Sequence, residues 1–123
     1  MWITLKKTLV LGGSLNAHRY SYKAIESLRR YSIPVVSIGR MAGVVSGVKI
    51  EESLYLGNDI HTVTIYLSNE NQKKYEEYIL SLKPKRIIFN PGAENMRLYE
   101  NAGNKGIEVM NACTLVLLSI NKY

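Results

Sequence analysis

Short apolar runs and stretches of helical spacing alternate along this chain. Thr8-Leu9-Val10-Leu11 stops at Gly12-Gly13, the pattern of a buried strand closed by a tight turn. Beyond a polar interval, Tyr22, Ile25 and Leu28 return at helical spacing while Glu26, Arg29 and Arg30 take the opposite face, which predicts an amphipathic helix. Pro34 closes that helix, and the β-branched run Val35-Val36-Ser37-Ile38 predicts a second strand ending at Gly39-Arg40. From Met41 to Asp59 the chain carries scattered glycines, Gly43, Gly47 and Gly57, and is expected to form a loop-rich crossover. Thr62-Val63-Thr64-Ile65-Tyr66-Leu67 predicts the third strand. Asn69 and Gln72 then have the spacing of a capping box, and Tyr75, Ile79 and Leu82 carry a helical stripe to Pro84. Arg86-Ile87-Ile88-Phe89 predicts a fourth strand. A helix from about Asn95 to Asn104, a short strand at Ile107-Glu108-Val109 and a last helix through Leu115 and Leu118 complete the pattern.

Such alternation demands parallel strands, because right-handed crossovers place the helices on both faces of one sheet. The expectation is an α/β, Rossmann-like doubly wound parallel sheet of about five strands in the order 3-2-1-4-5, formed by residues 1–123 as a single domain. Ligands of these sheets bind outside the carboxyl ends of the strands where the winding reverses, here expected between the first and fourth strands. Three turns converge there: Gly12 to Tyr20, Gly39-Arg40, and Asn90 to Glu94.

The first turn joins a strand to a helix, where unpaired amides and the positive end of the helix dipole favour phosphate. Gly12 and Gly13 permit close approach, Ser14 and Asn16 add hydrogen bonds, and Arg19, next to Tyr20, can pair with a phosphate in bidentate fashion. The loop lacks the second and third glycines of the dinucleotide pattern. At the end of the second strand an NAD site presents an acidic residue to the ribose, whereas a ribose phosphate calls for a cation. Arg40 occupies that place, which disfavours NAD and leaves NADP and coenzyme A. Asn90-Pro91-Gly92-Ala93-Glu94 offers a third wall for the rest of such a ligand.

The net charge of +6, from 16 Lys and Arg against 10 Asp and Glu, also suggests an anionic partner. Lys83-Pro84-Lys85-Arg86 reads as a solvated turn, and with no RNP-like or helix-turn-helix pattern a nucleic acid ranks last. Cys113 is the single cysteine, so no intrachain disulfide forms, and it reads as a small buried apolar residue. No metal-ligand spacing and no nucleophile with an adjacent base is present; His61 reads as structural and His18 as a non-catalytic residue of the phosphate loop. No metal site and no catalytic residue is therefore assigned. No apolar run approaches the roughly 20 residues of a membrane span, and the opening Met-Trp-Ile-Thr-Leu-Lys-Lys lacks the apolar stretch of a secretory signal, so a cytoplasmic location is expected.

With the turns placed, the sequence resembles the stand-alone coenzyme A-binding domain family, similar to the amino-terminal domain of the succinyl-CoA synthetase α subunit. The resemblance covers nearly the whole chain. It rests on Lys7-Thr8-Leu9-Val10-Leu11-Gly12-Gly13-Ser14-Leu15-Asn16 with Arg19-Tyr20-Ser21-Tyr22, on Ile38-Gly39-Arg40, on Gly47-Val48-Lys49-Ile50, on Ile87-Ile88-Phe89-Asn90-Pro91-Gly92-Ala93-Glu94-Asn95, and on Ala112-Cys113-Thr114-Leu115. It implies that Gly13, Ser14, Asn16 and Arg19 hold the pyrophosphate and that Arg40 meets the ribose phosphate. The turn around Asn90 and Pro91 would flank the nucleotide, and Leu67 would touch adenine or its neighbour. Relatives often carry Ala at the position of Gly13 and Pro at that of Ala17. The ligase of similar fold uses a phosphorylated histidine in a second domain that this chain does not carry, so ligase activity is not implied. The expected function is non-catalytic binding of coenzyme A or an acyl-CoA, as a carrier, a sensor or a subunit; a small NADP-dependent oxidoreductase is the alternative. A homodimer is compatible with the sequence.

Overall fold

Leu9, Val10 and Leu11 are completely buried because β1 (Thr8–Gly13) lies inside a sheet covered on both faces. The computed structural model describes residues 6–123. After β1 the chain forms α1 (Tyr20–Arg30), β2 (Val35–Gly39), β3 (Gly43–Val45), β4 (Val48–Glu51) and β5 (Thr62–Ile65). It continues through α2 (Asn69–Gln72), a 3-10 turn (Lys73–Tyr75), α3 (Glu76–Ser81), β6 (Arg86–Phe89), α4 (Met96–Asn104), β7 (Glu108–Asn111) and α5 (Thr114–Ser119). The sheet has seven strands in the order β3-β4-β2-β1-β5-β6-β7, parallel except where β3 pairs with β4.

The architecture is α/β and Rossmann-like, but strand count and order depart from expectation. The Thr62 strand pairs with β1 and not beyond β2, so the winding reverses between the first strand and the third predicted one. The place outside β2 belongs to β4, from the segment expected to be a loop. Ser46 (φ 49°) and Gly47 (φ 79°) supply the two positive φ angles of a tight hairpin turn. Beyond it, Val48 and Ile50 are buried while Lys49 and Glu51 face out, the period of a half-buried strand. The predicted capping box also differs. Ser68, not Asn69, caps α2 by accepting from the Asn71 amide, and Gln72 turns inward. The single helix expected up to Pro84 is interrupted by the 3-10 turn.

Alternation along β1 feeds two cores. Leu9 and Leu11 pack with Val63, Ile65, Ile87, Phe89, Ile79 of α3 and Leu98 of α4. Val10 faces the other way, with Ile25 and Leu28 of α1, Ile50 of β4 and Leu118 of α5. Of Lys83-Pro84-Lys85-Arg86, expected to be a solvated turn, Arg86 is instead buried, its guanidinium donating to Thr62 Oγ1 and lying 4.3 Å from the Tyr123 ring centre. Among the described residues no helix is long and apolar enough to cross a membrane.

Close approach of β1 and β2 prepares the site. Gly13 pairs with Gly39 past a bulge at Gly12 (φ 97°). A Cβ on Gly39 would stand 2.3 Å from the Gly13 carbonyl oxygen, a backbone atom that cannot step aside. Gly39→Ala is therefore expected to destabilise the fold by about 1–3 kcal/mol, the range for overpacking. Urea unfolding followed by circular dichroism measures this, and an unchanged midpoint would contradict the steric account.

Candidate functional site

The loop between β1 and α1 braces itself. Ser14 Oγ accepts from the Asn16 amide at 3.0 Å, and Asn16 Oδ1 accepts from the His18 amide at 2.9 Å. Arg19 stands at the cap position of α1 without a side-chain capping bond, and the first turn contains no acidic residue. The amides of Tyr20, Ser21 and Tyr22 therefore point out of the helix start with no intrahelical acceptor, where the dipole favours an anion. His18 is exposed and stands outside the crevice lining.

At this end of the sheet lies a crevice of about 1110 Å³. Gly12, Gly13, Ser14, Asn16, Arg19 and Tyr20 line it from the first turn. Arg40 lines it beyond β2 and Leu67 beyond β5, while Asn90, Pro91 and Gly92 close it beyond β6. Gly39 alone of the expected site residues does not face the cavity; its part is the close approach to Gly13. Gly13 has a reason of its own to lack a side chain. Ser37 Oγ, which donates to the Val10 carbonyl at 3.0 Å, would stand 2.1 Å from an alanine Cβ there. An alanine at this position is thus incompatible with this placement of Ser37.

Asn90 lines the crevice, yet its amide is fully engaged within the protein. It donates to Thr64 Oγ1 (2.7 Å) and the Ile65 carbonyl (3.0 Å) and accepts from the Thr114 amide (2.9 Å), tying β5, β6 and α5 together. Among the described residues the ion pairs are Lys7–Asp59, Lys73–Glu70 and Arg97–Glu76, so Arg19 and Arg40 reach the crevice without acidic partners.

Several lining residues escaped the sequence reasoning: Leu15, Ser21, Met41, Tyr66, Ser68, Asn71 and Cys113. Leu15, Tyr20 and Met41 are large apolar side chains left exposed at this end. Met41 directly follows Arg40, and Cys113 follows the carboxyl end of β7, so strand ends were the available signal. Cys113 is half-buried and faces the crevice, contrary to the expected sealed core position. Burial pushes the Tyr66 phenol well above the usual tyrosine range, so it stays protonated, and among the described residues its hydroxyl has no hydrogen-bond partner.

Other polar clusters sit away from the crevice. Lys7, just before β1, donates to Asp59 at 2.8 Å and to Tyr55 at 2.9 Å, and the Asp59 bond holds the lysine above its ordinary range. His61, just before β5, is held below the ordinary histidine range by burial, with Arg86 and Lys6 adding to the effect. Among the described residues no cluster of three or more His, Cys, Asp or Glu has the arrangement to hold a metal ion.

A model of the CoA binding domain family matches residues 6–119. The chain belongs to the CoA binding domain family. An uncharacterized protein of known crystal structure is 42% identical to this CoA-binding domain, with a TM-score of 0.94 over 98% of this chain and 100% of its own. A protein from Thermus thermophilus is 18% identical, with a TM-score of 0.83 over 97% and 91% of the two chains. A hypothetical protein from Pyrococcus horikoshii is 20% identical, with a TM-score of 0.81 over 91% and 80%. The last two share the fold of the CoA-binding domain and speak for nothing beyond it. No curated protein matches the chain.

Proposed function

We propose that this domain binds coenzyme A, free or acylated, in the crevice at the carboxyl ends of its strands, and serves as a carrier, a sensor or a subunit of a larger acyl-CoA system. One observation carries the reading: two arginines without acidic partners, Arg19 and Arg40, share the crevice with the uncapped start of α1. The ligand bears a pyrophosphate and a separate ribose phosphate, and this arrangement offers a group for each. The crevice exceeds the roughly 300–1,000 Å³ of an ordinary small-molecule pocket, as an extended ligand requires.

In this reading the first-turn amides with Gly13, Ser14, Asn16 and Arg19 take the pyrophosphate, and Arg40 takes the ribose phosphate. Leu67 gives the base an apolar face, to which the exposed Leu15 and Met41 are added. Pro91 and Gly92 flank the ligand, while Asn90 keeps their wall in place. Coenzyme A supplies the thiol that carries an acyl group; the protein holds and orients it.

Calorimetric titration with coenzyme A and NADPH separates the two ligand classes, and coenzyme A should bind more tightly. Cys113 provides an internal footprint, being the only cysteine of the chain and a lining residue. At coenzyme A near ten times Kd, alkylation by iodoacetamide should slow about tenfold, following the fraction of empty sites. No heat of binding together with an unaltered alkylation rate would dispose of this assignment.

A further inference from the structure

Gln72 is completely buried, and every polar atom of its side chain is used. Its amide nitrogen donates to the Leu67 carbonyl at 2.8 Å and to the Ala93 carbonyl at 2.7 Å. Its Oε1 accepts from Asn95 Nδ2 at 2.9 Å. Leu67 belongs to the crevice wall that follows β5, together with Ser68 and Asn71, and Ala93 ends the turn that forms the wall after β6. One primary amide thus spans from wall to wall.

The amide is itself held in orientation. Asn95 is 2% exposed, accepts from the Leu98 amide at the start of α4 (3.2 Å), and donates to Glu76 Oε2 at 2.9 Å as well as to Gln72. Glu76 is gripped by Arg97 through two bonds of 3.1 and 2.6 Å. The relay runs from two crevice walls through two buried amides to an ion pair at the surface.

We propose that Gln72 is a positioning residue of the ligand site, fixing the separation of the β5 and β6 walls for a ligand that touches both. The proposal rests on the reading that coenzyme A occupies the crevice. Its physical basis is that a primary amide alone provides two donors and an acceptor on so short a side chain. The local helix cannot do the same, because α2 spans four residues and gives way to the 3-10 turn directly after Gln72.

Gln72→Met fills a similar volume without donors and tests the idea in the whole protein. Thermal unfolding establishes that the variant is folded, and calorimetry then measures Kd for coenzyme A and for adenosine 3′,5′-bisphosphate. The smaller ligand keeps both phosphate anchors, at the α1 start and Arg40, which Gln72 does not touch, so its affinity should depend less on the separation of the walls. Coenzyme A is expected to weaken about tenfold or more, a loss of about 1.4 kcal/mol, and the bisphosphate less than about threefold. Equal Kd values for wild type and folded variant, whatever the melting temperature, overturn the proposal. Glu76→Gln disturbs the relay at its outer end and serves if Gln72→Met does not fold; it should weaken coenzyme A but not the bisphosphate, and no change overturns the proposal equally. Wild-type protein that binds neither ligand removes the functional reading itself, whereas wild-type binding with unaltered variants removes only the role of Gln72.

Discussion

Arg40→Gln is expected to weaken coenzyme A about tenfold and to leave dephospho-coenzyme A unchanged. Arg40 directly follows β2, beside the point where β1 and β2 are brought together by Gly13 and Gly39, and it reaches the crevice with no carboxylate to neutralise it. A charge-assisted bond to phosphate lies at the strong end of the hydrogen-bond range, but an exposed guanidinium is screened by water and salt. These opposing effects place the expected loss near one decade of affinity. The control ligand lacks only the ribose phosphate, so the two titrations together isolate one contact. If the variant loses equal affinity for both ligands, Arg40 acts on the site as a whole; if it loses none, Arg40 does not read the ribose phosphate.

Asn90→Ala should lower the stability of the fold by about 3 kcal/mol. Removing the side chain strands the Thr114 amide, leaves the Ile65 carbonyl with only its 3.3 Å bond from the main-chain amide of residue 90, and takes one partner from Thr64, which keeps its bond to Thr114 at 2.7 Å. A buried group left unpaired costs roughly 1–3 kcal/mol, and Asn90 is 1% exposed, so no water compensates without rearrangement. Against the roughly 5–15 kcal/mol of a typical domain, this is a large fraction. Chemical denaturation supplies the measurement, and a loss below about 1 kcal/mol would show that the three bonds are replaceable. Because Asn90 joins β5, β6 and α5, the variant should also bind coenzyme A more weakly even where it remains folded.

The elements with a strong period were legible in the amino acids. Continuous apolar runs such as Leu9-Val10-Leu11 and Ile87-Ile88-Phe89 can be satisfied only between two layers, and both are buried in strands. The hairpin β3–β4 escaped notice because its strands are short and its glycines resemble loop punctuation, although Val48-Lys49-Ile50-Glu51 alternates and Ser46-Gly47 suits a tight turn. Missing it misplaced the Thr62 strand, since the position beyond β2 then looked vacant. Gln72 was misjudged for a related reason. Its spacing fits a cap, but local spacing does not disclose that Leu67, Ala93 and Asn95 surround it.

By itself the amino-acid sequence determined the strands with long apolar runs and which turns carry glycine and arginine, because backbone conformation and side-chain period are local properties. From these alone came the alternating α/β pattern and the three turns at the strand ends. Only the tertiary structure decided the order of the strands, the closing of the crevice by Met41, Tyr66 and Cys113, and the use of Asn90 and Gln72 as internal ties. Those outcomes depend on which distant groups compete for the same hydrogen bonds and the same buried space, and that competition exists only once the chain has folded.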